Sequence, residues 1–132
     1  MLFKRAIRCL AAVAVLVAVA PAPALAATAL SCDYTFTAWH GGFSADLKIS
    51  NAGPPLSGWT ARWTLAEPTT LGSFWSARMA QPDADHLVAE NVSYNAALGT
   101  GASVTFGWTA SAPTTSIPTD ITVNGARCAA PR

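Results

Sequence analysis

Apolar residues in this chain recur at every second position, in short runs broken by glycine, proline and asparagine. After residue 26 no stretch keeps a helical period. A two-residue period puts alternate side chains on opposite faces of a strand, so each run needs one buried face and tolerates one wet one. Cys32-Asp33-Tyr34-Thr35-Phe36-Thr37-Ala38 sets the pattern, with Tyr34, Phe36 and Ala38 on one side and Thr35 and Thr37 on the other. Trp39 falls on the threonine side. His40-Gly41-Gly42 follows, and then Phe43, Ala45, Leu47 and Ile49 take the inner face of a second run. Adjacent glycines between two such runs predict a hairpin turn, because glycine reaches positive φ without steric cost. The hairpin therefore carries a large aromatic ring outward. Such a ring marks a binding surface or packs against a neighbouring loop, and this stretch alone leaves both open.

The rest of the chain repeats the pattern. Asn51-Ala52-Gly53-Pro54-Pro55 ends the second run. Gly58 to Leu65 predicts a strand with Trp59, Ala61, Trp63 and Leu65 facing the core. Glu67-Pro68-Thr69-Thr70 interrupts, and Leu71 to Ala80 resumes less cleanly. Phe74 and Trp75 are neighbours there, so a regular strand sends one inward and the other outward, and periodicity does not choose between them. Gln81 to Asp85 reads as a polar turn, Leu87 to Tyr94 as a strand and Asn95 to Gly101 as a loop. Gly101 to Trp108 alternates with Ala102, Val104, Phe106 and Trp108 inward. Ser111 to Pro118 is a proline-rich loop, and Asp120 to Gly125 supplies a last strand. Many short strands without helices predict an all-β fold, an antiparallel β-sandwich of the immunoglobulin-like or jelly-roll-like kind.

The first 26 residues stand apart. Lys4, Arg5 and Arg8 precede an unbroken apolar run from Leu10 to Ala20, and Ala24-Leu25-Ala26 is a small-residue cleavage signal. This predicts a signal peptide over residues 1–26, cut after Ala26, and a secreted domain over 27–132. Lipidation at Cys32 is disfavoured, since Ala29-Leu30-Ser31 lies well past the apolar run. Removing the leader leaves five of the eight basic residues against all seven acidic ones, with no basic cluster. That excludes nucleic acid and anionic membrane as expected partners, because both call for concentrated Lys and Arg. Cys9 departs with the leader, so Cys32 and Cys128 are expected to form a disulfide linking the two ends. No further domain is expected beyond Cys128, and the domain is expected to be a monomer.

Catalysis is hard to assemble from these residues. The two histidines are His40 and His86. Asp83, Asp85 and Glu90 could nominally form an acid pair for glycoside hydrolysis, but they sit in or beside a hairpin where carboxylates are ordinarily solvated. Asp83-Ala84-Asp85-His86 is a weak cation motif. A copper site of the type found in secreted polysaccharide oxidases needs an N-terminal histidine, and the expected terminus is Ala27. No catalytic residue, metal or cofactor is therefore assigned. Aromatic usage is the informative feature. Of five tryptophans, Trp59, Trp63 and Trp108 are placed inside, which leaves Trp39, one of Phe74 and Trp75, and Tyr94. Aromatic faces stack on the C–H face of pyranose rings, and a row of them suits a rigid polymer that loses little freedom on binding.

Cys32, Trp39-His40-Gly41-Gly42-Phe43, Asn51, Gly58-Trp59, Trp75, Asn91, Tyr94-Asn95, Leu98, Gly101, Phe106-Gly107, Pro118, Val123-Asn124-Gly125 and Cys128 occur in an order and spacing that resembles family 2 carbohydrate-binding modules, the bacterial cellulose-binding type. The resemblance implies a β-sandwich closed by a terminal disulfide and three exposed aromatics that bind insoluble cellulose. By position these fall on Trp39, Trp75 and Tyr94, with Asn95 and Asn91 as further polar contacts. It also implies that Trp75, not Phe74, is the outward ring. Tyr94 stands where the family usually has tryptophan, and the connection before Trp75 is short and lacks the usual Gly-Gln pair. The xylan-binding branch tends to carry arginine three residues after the first aromatic. This chain has Gly42 there, as the cellulose-binding branch does. Chitin or xylan is the alternative ligand, and a small secreted protein-binding or inhibitor domain is the alternative class.

Overall fold

Strands that are apolar on one side only must find a second apolar layer, and this chain supplies it by folding into two sheets. The computed structural model of the protein describes residues 29–130, so the expected leader over 1–26 lies outside the described residues. Nine strands follow: β1 (Leu30–Trp39), β2 (Gly42–Asn51), β3 (Thr60–Thr64), β4 (Thr70–Trp75), β5 (Arg78–Asp83), β6 (His86–Glu90), β7 (Ser103–Ser111), β8 (Thr122–Val123) and β9 (Ala126–Arg127). They form a four-stranded sheet in the order β1-β2-β7-β4 and a five-stranded sheet in the order β5-β6-β3-β8-β9. Every strand pair within them is antiparallel. No helix occurs among the described residues. The fold is the expected all-β sandwich.

The core lies where the two apolar faces meet. Phe43, Ala45, Leu47 and Ile49 of β2 and Phe106, Trp108 and Ala110 of β7 are buried against Trp59, Ala61 and Trp63 in and just before β3. Trp59 stacks on Phe106 with ring centroids 5.2 Å apart, and Trp63 meets Trp108 at 5.1 Å. All three tryptophans read as inward from the sequence are almost completely buried. The two ends of the described residues meet beside β1. Cys32 and Cys128 form the disulfide, and the Cys32 N–H donates to the Ala129 carbonyl at 2.8 Å.

Several local expectations differ from the structure. The run from Leu71 to Ala80 is two strands, β4 in one sheet and β5 in the other. Its corner is at Ser76, which adopts a φ of 61°. Neither Phe74 nor Trp75 reaches the core; they are 42% and 44% exposed. The register of β4 on β7 shifts between Leu71 and Phe74, and β4 is an edge strand, so Phe74 sits opposite Trp108 but at the margin of the packed layer. Phe36 and Ala38 share the inner side of β1 with buried Tyr34 yet are exposed, because β1 is the other edge. Finally, the hairpin turn is His40-Gly41, with Gly41 at a φ of 85°. Gly42 is already paired with Trp39 as the first residue of β2.

The loop that leads from β7 to β8 is tied to the end of β3. Asp120 accepts hydrogen bonds from the Thr64 N–H at 3.0 Å and from the Thr64 hydroxyl. Partial burial is the largest single influence and disfavours the charged carboxylate, but the two Thr64 bonds, with the residue's own N–H and the nearby His86, together hold its pKa below the usual aspartate value. A depressed folded-state pKa stabilises the fold above the unfolded value of about 3.9, and that contribution is lost as pH falls through the folded value. Asp120→Asn is therefore expected to lower the thermal midpoint at neutral pH and to flatten its decline below about pH 4. Thermal melts across pH 2–7 check this.

Candidate functional site

The outer face of the four-stranded sheet is built by the polar half of each alternation. From β1 come Thr35, Thr37 and Trp39, and from β2 Gly42, Ser44, Asp46 and Lys48. Strand β7 adds Thr105, Gly107, Thr109 and Ser111. Two cross-strand rows organise it. One runs Trp39, Gly42, Ser111, Thr70, and the other Thr35, Asp46, Gly107, Trp75. Each row ends in a tryptophan on an edge strand and has a glycine beside it on the inner strand. A Cβ built on Gly42 would lie 3.0 Å from the Trp39 Nε1, and one built on Gly107 would lie 2.5 Å from the Trp75 Cζ2. Both indoles thus rest against bare backbone, half-exposed. Gly42 and Asp46 are four residues apart on β2, so the rows are separated by about 14 Å at the usual strand rise. The hydroxyls of Ser44 and Thr109 fall between them.

The β4 corner places the third ring. Strand β6 ends at Glu90, earlier than the sequence reading through Tyr94, and Val92 to Asn95 form a turn. Tyr94 projects from it and is 76% exposed, more than any other large hydrophobic residue among the described residues. Asn95 fixes this turn: its Oδ1 accepts from the Val92 N–H at 2.9 Å, and its Nδ2 donates to the Ser76 carbonyl at 2.6 Å. Ser76 follows Trp75 directly, so one amide ties the Tyr94 turn to the Trp75 strand. Asn91 accepts from the Trp59 N–H at 2.9 Å and donates to the Val92 carbonyl at 3.3 Å. Both asparagines named from the sequence are therefore occupied largely by the protein's own backbone. A direct ligand contact is left only their remaining N–H or lone pair.

Core and surface are joined at Trp59, whose Nε1 donates to the Asn95 carbonyl at 2.9 Å. The Nε1 atoms of Trp63 and Trp108 have no such partner. Trp59→Phe is expected to leave the Asn95 carbonyl unpaired and cost about 1–3 kcal/mol. Trp63→Phe removes an unpartnered donor and is expected to cost less. Chemical denaturation of the two variants checks the order.

The carboxylates considered for catalysis lie on the other sheet and are engaged locally. Asp83 accepts from the His86 Nδ1 at 2.7 Å and from the Asp85 N–H at 2.8 Å, and the His86 bond chiefly holds its pKa below the usual range. Glu90 pairs with Arg78 at 3.3 Å. Clefts of about 370 and 450 Å³ open away from this face, and one of about 430 Å³ adjoins the Thr70 and Ser111 end of the Trp39 row; none of them is lined by Trp39, Trp75 or Tyr94. Gly107 enters the sequence reading only as part of the Phe106-Gly107 match and is given no role there. Its signal was present, because a glycine at an outward position inside an alternating strand marks close approach of another group.

The sandwich thus exposes two tryptophan rings on one open sheet face, outside the clefts. The sequence profile described as "Cellulose binding domain" matches residues 30–128, and the chain belongs to that family. It is a carbohydrate-binding module of the family 2 type. Endoglucanase CelA of Streptomyces lividans is 39% identical over 105 residues, which cover 77% of this chain and 23% of that protein. Chitinase 63 of Streptomyces plicatus is 36% identical over 104 residues, covering 77% of this chain and 17% of that one. The chain thus spans less than a quarter of the length of either relative. Among solved structures, the chitin-binding domain of Chi18aC from Streptomyces coelicolor superimposes with a TM-score of 0.65 at 35% identity, over 77% of this chain and 96% of that one. The cellulose-binding family 2 domain of ScLPMO10C gives 0.57 at 30% identity, over 79% and 98%.

Proposed function

We propose that this protein is an exported, non-catalytic module that adsorbs to insoluble cellulose through Trp39, Trp75 and Tyr94. The observation that carries the reading is the open sheet face: two indoles, each resting on a glycine, with the Tyr94 turn tied to the second of them. An open row of rings engages the C–H faces of a rigid chain, whereas a deep cleft would enclose a soluble sugar. Asn91 and Asn95 support the site by holding the Tyr94 turn, with their remaining amide groups available to sugar hydroxyls. The Cys32–Cys128 disulfide supports an oxidising compartment and hence cleavage of residues 1–26 on export.

Chitin is the second reading, favoured by the likeness to the chitin-binding domain of Chi18aC. Washed cellulose, chitin and xylan, each mixed with the protein and spun down, separate the readings. Depletion by cellulose above the other two is expected; stronger depletion by chitin moves the assignment to the second reading. Protein left in the supernatant with all three overturns both. Tyr94→Trp restores the larger stacking face and is expected to tighten retention several-fold, on the scale of 1–3 kcal/mol per stacked ring. Adsorption isotherms on the preferred polymer check it.

A further inference from the structure

We propose that Gly107 is a positioning residue for the binding face: its missing side chain is the seat that fixes where the Trp75 ring lies. This rests on the reading of Trp75 as a stacking ring. Gly107 is buried although it faces outward, because Trp75 covers it. A Cβ there would stand 2.5 Å from Cζ2 and 2.6 Å from Cε2 of Trp75, and 2.5 Å from the Asp46 Oδ1. All of those atoms belong to side chains. Strand β7 is paired on both sides at this point, with Asp46 and with Trp75, so its backbone is the part least able to yield. The Asp46 carboxylate is the end of an exposed side chain and turns aside at little cost. The indole belongs to an edge strand whose register is already shifted, so it is the group that lifts.

Gly42 under Trp39 looks equivalent but is a poorer probe. A Cβ there would meet the backbone carbonyl of Ala110 at 2.7 Å, so alanine would strain the sheet as well as the ring. At Gly107 no positive φ is involved, and alanine suits a strand better than glycine does. The consequence of substitution is thus confined to Trp75. A lifted ring leaves the sheet face it shares with Trp39, and a rigid polymer cannot follow it.

The experiment compares wild type, Gly107→Ala, Trp75→Ala and the double variant. Measurements are adsorption to cellulose and chitin, thermal midpoint, and acrylamide quenching of tryptophan emission without polysaccharide. Gly107→Ala is expected to keep a midpoint near wild type, to raise quenching, and to weaken adsorption about fivefold, the equivalent of part of one stacking contact. In the Trp75→Ala background the same substitution is expected to change neither quenching nor adsorption. Unchanged quenching overturns the proposal, as does an equal loss in both backgrounds. An unfolded Gly107→Ala also overturns it, because the ring was to yield rather than the sheet. If wild type adsorbs to neither polymer, the functional reading fails alone, and quenching still decides whether Gly107 seats the ring.

Discussion

Replacing Trp39 and Trp75 together by alanine is expected to abolish retention on cellulose. One stacked ring is worth about 1–3 kcal/mol. The two indoles sit at opposite edges of the sheet with no shared partner, so their losses should add to about 2–6 kcal/mol. That is at least about a thirtyfold weakening. The fold should pay a smaller part. Each ring is about half exposed, at 53% and 44%, and loses only its contact with one glycine and its surroundings. A lowered but still cooperative melt is therefore expected, and adsorption is measured well below it. Trp63→Ala gives the opposite signature. Its ring is 2% exposed and packs on Trp108 and Phe106, so its loss should cost about 3–5 kcal/mol of stability. Binding at low temperature should survive wherever the variant remains folded. A Trp39→Ala protein that unfolds while keeping its share of binding would overturn the outward placement of that ring.

The contrast between those variants follows what local sequence does and does not encode. Strands β2 and β7 were legible because both are central in their sheet, and each alternation meets a full apolar layer on one side. Trp59 and Trp63 were legible for the same reason. At the edges the rule weakens. Phe36 keeps the inward parity of Tyr34, but parity does not say whether a second layer covers it. Phe74 and Trp75 fail more deeply, since both are exposed while alternation allows only one. The cause is nonlocal: the Thr109 hydroxyl on β7 accepts the Ser73 N–H at 3.0 Å within the stretch where the β4 register shifts. Nothing in Leu71 to Ala80 announces that bond. The resemblance to a family names Trp75 alone as the outward ring; in the structure both rings are exposed, and it is the pairing with outward-facing Gly107 that puts Trp75 on the outer face. The roles of Asn91 and Asn95 were open in the sequence, because an asparagine amide serves a sugar hydroxyl and a backbone carbonyl equally well. Only the positions of Trp59 and Ser76 show what those amides hold.

Replacing Cys32 and Cys128 together by serine is expected to give a larger loss of stability than any of the single substitutions at exposed rings. The two residues are 96 apart in sequence, so their bond constrains nearly the whole folded chain when it unfolds. In the chain-entropy model a loop of that length is worth about 4.7 kcal/mol. Domains of this size have about 5–15 kcal/mol in all, so the variant would sit near the threshold of folding. The native contacts around the bond are modest. Strand β9 has two residues, and Ala129 is joined to β1 by backbone hydrogen bonds to Leu30 and Cys32. Without the covalent link, the terminal segment after Ile121 should fray first. Trp39 and Trp75 lie on strands anchored instead by β2 and β7. Reduction is therefore expected to lower the midpoint by tens of degrees while leaving adsorption intact at temperatures where the sandwich is still folded. Melts and adsorption isotherms with and without reductant measure both quantities. A midpoint that barely moves would mean that the sheets alone hold the chain ends. A loss of adsorption ahead of unfolding would mean that the binding face depends on the far end of the domain, contrary to the strand order.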